Sequence, residues 1–200
     1  MIELCIFKSK LRVDFTFFAA ILLFLLIDKS GYGILGLYAC IIHELGHLLM
    51  MVVVGCRPDI ITLYGAGMKI QSYEQYKLST PAEIAVILSG SATNFICFAL
   101  FIIAFPIDLR LQVFAVTHLV IGVFNLLPIM GFDGERLLSF LLNNLAGPAH
   151  TLKIIQIISF IVSTVLAIAA IFSFGDGAVN FTIIITLFYF IISSALMRRH

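Results

Sequence analysis

The chain has 200 residues, 62% of them hydrophobic and only 12% charged, and its formal net charge is +1. With a mean hydropathy of +1.14, this composition excludes an ordinary soluble globular domain and points to a polytopic membrane protein. Neither the charge nor any basic-aromatic clustering suggests nucleic acid as a partner, so the expected surroundings are a lipid bilayer.

Six apolar runs of spanning or near-spanning length are expected, at about 13–27, 33–54, 82–105, 111–129, 153–173 and 179–197. The first follows a basic start. It is succeeded by Asp28-Lys29 rather than by a small-residue cleavage site, so it is read as an uncleaved anchor. The second contains "CIIHELGHLLMMVVVG", which places titratable groups at membrane depth, where each needs a reason. The polar stretch 56–80 follows. Its segment "IITLYGAGMKIQS" alternates apolar and polar residues on either side of Gly65-Ala66-Gly67. This pattern suits a short hairpin or re-entrant loop, with a plain surface loop as the alternative. Thr80-Pro81-Ala82-Glu83 then gives a good helix start for the third span.

The fourth span runs into "NLLPIMGFDGERLL". Pro128 lacks an N–H and removes the helical donor for the carbonyl of Phe124, so the helix is expected to break or kink there. Irregular backbone at membrane depth is tolerated where it is buried in protein or lines a wet cavity. Under six spans with the N-terminus inside, ten basic residues fall in cytoplasmic segments and two, Lys29 and Arg110, fall outside. The expected architecture is therefore an all-α polytopic membrane protein with both termini cytoplasmic. It would form one membrane-embedded domain over residues 1–200. Cys5, Cys40, Cys56 and Cys97 are scattered without a CxxC pair and read as small apolar residues.

On a helix, His43 and His47 lie one turn plus 40° apart, on one face, with Glu44 flanking it. This HExxH pattern offers two imidazoles for zinc and a carboxylate placed to take a proton from water. The alternative is a pair of core histidines hydrogen-bonded to other helices. A third ligand is required, and the candidates are His118 and Asp133. His118 lies two turns before Asn125 and reads as a helix-packing residue. Asp133 follows the Pro128 break. Taken alone it suits a helix N-cap as well as a ligand, but beside an upstream HExxH the ligand reading is preferred.

These residues resemble the site-2 protease family, zinc metalloproteases that cut within the membrane. The family pairs HExxH with a downstream aspartate in an N-x-x-P-x(4)-D-G context. Here those elements are His43 to His47 and Asn125 to Gly134, with "SGSATN" supplying Gly90 and Asn94 of a G-x-x-x-N core. Gly90-Ser91 replaces the Gly-Pro common at the start of that core. The match covers about residues 33–142, with accessory helices at about 13–27, 153–173 and 179–197. Its arrangement is closest to the branch related to stage IV sporulation protein FB, but no CBS or PDZ domain is expected among these 200 residues.

The resemblance implies one zinc ion held by His43, His47 and Asp133. Glu44 would move a proton from water to the leaving amine. Asn94 and Asn125 would orient the substrate backbone or its oxyanion, with interhelical hydrogen bonding as the alternative for both. The implied substrate is a single-span membrane protein in a prokaryotic cell membrane. Its unwound segment could add as a strand along residues 60–71. The rival readings are a zinc-binding or client-binding membrane protein without catalysis, which would not need Glu44, and a transporter. The chain shows one helix break and no repeat, which argues against the transporter.

Overall fold

The computed structural model describes residues 2–6, 9–28, 31, 33–65, 67–73, 78–104 and 107–172. The expected sixth span at 179–197, the loop before it, and the basic residues Lys8, Lys29, Lys77, Arg198 and Arg199 lie outside these residues. The chain divides into two compact units, Met1–Val123 and Phe124–His200.

The first unit opens with two strands, β1 (Ile2–Ile6) and β2 (Ser9–Val13). Helices α1 (Phe15–Ile27) and α2 (Gly33–Val53) follow. Strands β3 (Ile60–Tyr64) and β4 (Gly67–Gln71) then precede α3 (Thr80–Ala104) and α4 (Leu109–Asn125). The four strands form one sheet in the order β1-β2-β3-β4. The chain is thus mostly helical, as expected, but the all-α reading is corrected by β1 and β2, which join the expected hairpin in a sheet. "IELCI" and "SKLRV" carry the period-2 alternation of strands, but each is only five residues long, too short a signal to stand out from a basic approach to the first span. The hairpin expected over residues 60–71 is present, with Ile60 facing Gln71 and Tyr64 facing Gly67. β2 and β3 pair in parallel, Lys10 with Ile60 through Val13 with Leu63. The ladder is extended at both ends: Lys10 N–H donates to Asp59 O and Asp14 N–H to Leu63 O, each at 2.8 Å.

Asp14 starts α1. Its Oδ1 accepts from the N–H of Thr16 at 2.9 Å and from Thr16 Oγ1 at 2.7 Å. The backbone N–H and then the hydroxyl hold its carboxyl below the ordinary carboxylate range, so what Asp14 contributes to the helix start is lost as pH falls. Among the described residues, three helices are long and apolar enough to cross a membrane: α2, α3 and, in the second unit, residues Pro148–Ala169. The fourth expected span is a shorter apolar helix, and α1 has 13 residues.

The buried residues of α2 are Ala39, His43, Gly46, His47 and Met51, a single stripe at helical spacing. Its other faces carry outward Ile41, Leu45, Leu49 and Val52, as suits a helix against lipid. Gly46 lets α3 approach. A Cβ there would lie 2.8 Å from the carbonyl oxygen of Ser89 and would overlap Thr93 Oγ1. α3 starts close to the expected position, with the N–H of Glu83 donating to Ser79 O at 3.0 Å.

The second unit holds the end of α4, a non-helical segment, α5 (Asp133–Ala146) and α6 (Pro148–Phe172). The break forecast at Pro128 is found, and the helix ends at Asn125. Phe124 O, which a helical residue 128 would have satisfied, instead accepts from Leu127 N–H at 3.0 Å. The segment is anchored at Ile129, which is buried, and at Met130, whose N–H donates to Ser159 Oγ on α6 at 3.0 Å. Gly131 has a positive φ of 94°, which suits glycine at this bend.

Candidate metal centre

His43 and His47 are buried at 4% and 5% exposure on the face of α2 that meets α3. Their ring centroids are 4.8 Å apart, with an interplanar angle of 81°. Their Nε2 atoms face each other at 3.2 Å. Each ring is held through its other nitrogen. His47 Nδ1 donates to the carbonyl oxygen of Val86 at 2.8 Å, so its neutral ring keeps a lone pair on Nε2. Ser89 Oγ donates to the same carbonyl at 2.7 Å and lies 3.4 Å from His47 Nδ1. His43 Nδ1 lies 3.3 Å from the side-chain nitrogen of Asn94.

Gly90 faces this pair from α3. A Cβ at Gly90 would lie 2.7 Å from His43 Nε2 and would press still closer on His47 Nε2. The absence of a side chain thus keeps open the space onto which both imidazole nitrogens converge. Glu44, the next residue along α2, is half-buried. Asn94 is fully buried, and its Oδ1 is 2.9 Å from His118 Nδ1. His118 is therefore the helix-packing histidine the sequence suggested, joined to α3 through Asn94.

In the second unit, Asn125 closes α4 and is half-buried. Asp133 is buried at 7% exposure and is the first residue of α5. The cap alternative does not fit its position. Phe132 occupies the cap site with extended backbone, φ −100° and ψ 164°, and the helix start has no side-chain cap hydrogen bond. Arg136 Nη1 lies 3.9 Å from Asp133 Oδ1, too long for a hydrogen bond.

Among the described residues, one group of His, Cys, Asp and Glu donors can hold a metal ion: His43, His47 and Asp133. Two imidazoles and a carboxylate suit zinc and leave one of four positions open. Comparison with protein-family models and with curated proteins finds no match. Among solved structures, the fold is similar to that of a site-2 protease. That protein, from Methanocaldococcus jannaschii, aligns with a TM-score of 0.71 over 100% of this chain and 95% of its own, at 20% identity. At that identity the likeness is one of fold.

Sequence reasoning did not find Val86 and Ser89. A backbone carbonyl carries no sequence signal. Only the position of Ser89, one residue before Gly90 in the quoted motif, pointed near it.

Proposed function

We propose that the chain is an intramembrane zinc metalloprotease of the site-2 type that hydrolyses a peptide bond in or near the transmembrane segment of a single-span membrane protein. The observation that carries this reading is the His43–His47 pair. It lies buried on a helix long and apolar enough to cross a membrane, with its Nε2 atoms 3.2 Å apart and Glu44 beside it. His43, His47 and Asp133 are the proposed ligands of one zinc ion. Zinc supplies Lewis acidity, which polarises the scissile carbonyl and brings the pKa of water toward neutrality.

Glu44, which is not a ligand, takes a proton from the attacking water and returns it to the leaving amine as the C–N bond breaks. Asn125, and the amide N–H of Asn94 not used by its neighbours, are proposed to bind the substrate carbonyl. The backbone of a lipid-embedded helix is fully hydrogen-bonded, so the scissile segment must unwind. Strand β4, at the edge of the sheet, offers an extended partner for it. Six spans with both termini cytoplasmic, in a prokaryotic cell membrane, complete the proposal.

The test is co-expression with candidate single-span proteins, comparing the wild type with Glu44→Gln. A cleaved product with the wild type only is the expected result. Product formation by both, or binding of the client without product in the wild type, would favour a non-catalytic client-binding protein.

A further inference from the structure

Asn94 lies between two histidines. Its amide nitrogen is 3.3 Å from His43 Nδ1 and its oxygen 2.9 Å from His118 Nδ1. Asn94 and His118 are both fully buried. The ring of His118 packs on Phe114 and Phe101, with centroids 4.6 and 6.2 Å away, and its Nε2 has no hydrogen-bond partner among the described residues. Nδ1 is thus the ring's polar attachment, and it is committed to Asn94.

The oxygen and nitrogen of an amide exchange places by a half-turn of the group, leaving every heavy-atom position unchanged. Two hydrogen-bond orders therefore satisfy the same geometry. In the first, His118 Nδ1–H donates to Asn94 Oδ1 and Asn94 Nδ2–H donates to His43 Nδ1. His43 then carries its proton on Nε2, the atom 3.2 Å from His47 Nε2. In the second, His43 Nδ1–H donates to Asn94 Oδ1 and Asn94 Nδ2–H donates to His118 Nδ1. His43 Nε2 is then a lone pair, and the proton of His118 is on its own Nε2. The two orders contain the same number of protons. His47 is the same in both, fixed by Val86 O. Only the second directs two lone pairs into the space beside Gly90, and a histidine binds a metal only through a lone pair.

We propose that Asn94 and His118 are a positioning pair that sets the tautomer of His43. His118 accepts the Asn94 amide N–H through Nδ1, which turns Asn94 Oδ1 toward His43 and frees His43 Nε2 for the metal. This rests on His43 and His47 being ligands. The role belongs to the outer partners of a metal-binding histidine, whose loss costs about 10–100-fold in metal affinity.

The experiment uses the full chain in detergent micelles with zinc as the probe. Two-bond proton–nitrogen spectra of 15N-histidine-labelled protein report which ring nitrogen carries the proton. In zinc-loaded wild type, His43 is expected protonated on Nδ1 and His118 on Nε2. A His118 that carries its proton on Nδ1 in the loaded protein overturns the proposal.

Zinc affinity, measured by chelator competition, gives an independent reading. Asn94→Leu should weaken it by about 10–100-fold. Asn94→Asp keeps an oxygen for His43 Nδ1–H and should recover most of that loss. A purely structural role for Asn94 would lower the unfolding temperature of Asn94→Leu and leave zinc affinity unchanged, and that result also overturns the proposal. Zinc bound equally well by wild type and His43→Ala would refute the ligand reading itself, and the tautomer proposal with it.

Discussion

Gly90 shows how much chemistry can depend on an absent side chain. In a helix interior, alanine is favoured over glycine by about 1 kcal/mol, so Gly90→Ala should leave α3 intact. Its methyl group would nevertheless occupy the space that His43 Nε2 and His47 Nε2 face. The expected outcome is a folded protein with zinc affinity reduced at least tenfold, read by chelator competition. Wild-type affinity would mean that the metal is not held on that side of the rings. Removing either imidazole, in His43→Ala or His47→Ala, should abolish bound zinc, measured as metal content of the purified protein. Glu44→Gln should retain the metal and lose proteolysis, since its carboxylate is assigned to proton transfer. Asp133→Ala should lose zinc while the protein still inserts, whereas Arg136→Gln should keep zinc bound. The HExxH pair was legible as a candidate because two histidines and a glutamate at that spacing in an apolar run have few other uses, and Asp133 only by its place after the Pro128 break and beside that upstream motif. The tethering of His47 to Val86 O was not, because it depends on how α3 lies against α2.

Among the elements, the α2–α3 contact sets the histidines in place, and it is tight at Gly46. A side chain at Gly46 would meet the α3 backbone at Ser89, which has no freedom to swing aside. Gly46→Val should force the helices apart at a cost of about 1–3 kcal/mol. The check is a lower thermal-unfolding midpoint in detergent together with weakened zinc binding. Unchanged unfolding would show that the helices are free to separate there. The three helices long and apolar enough to span and the Pro128 break could be read from the sequence because long apolar runs and proline act locally. The end of α4 at Asn125, three residues before Pro128, follows from proline's effect on preceding residues and from the turn that satisfies Phe124 O. The strands at residues 2–13 were missed for a different reason. Five-residue alternations are weak signals, and β2 becomes a strand by pairing with β3, about 50 residues further on.

For the whole molecule in a membrane, that pairing bears on topology. β2 and β3 are hydrogen-bonded along Lys10–Val13 and Ile60–Leu63, so both lie on one side of the bilayer. Between them the chain passes through α1 and α2. The 21 residues of α2 rise about 31 Å, matching the hydrocarbon core of about 30 Å. If α2 crosses once, residues 14–32 must cross as well, or the chain could not return to the same sheet. The 13 residues of α1 rise only about 20 Å, so the crossing needs its flanking residues and a locally thinned bilayer. By the positive-inside rule, Lys10 and Arg12 of β2 and Lys69 of β4 lead us to expect the sheet on the cytoplasmic side. A single cysteine at Gly31, in a chain freed of its four native cysteines, should react with an impermeant reagent added outside intact cells. One at Lys69 should react only after the cells are opened. External labelling at Lys69 but not at Gly31 would reverse the orientation. Protection at both in intact cells would mean that neither α1 nor α2 crosses, and would remove two of the six spans.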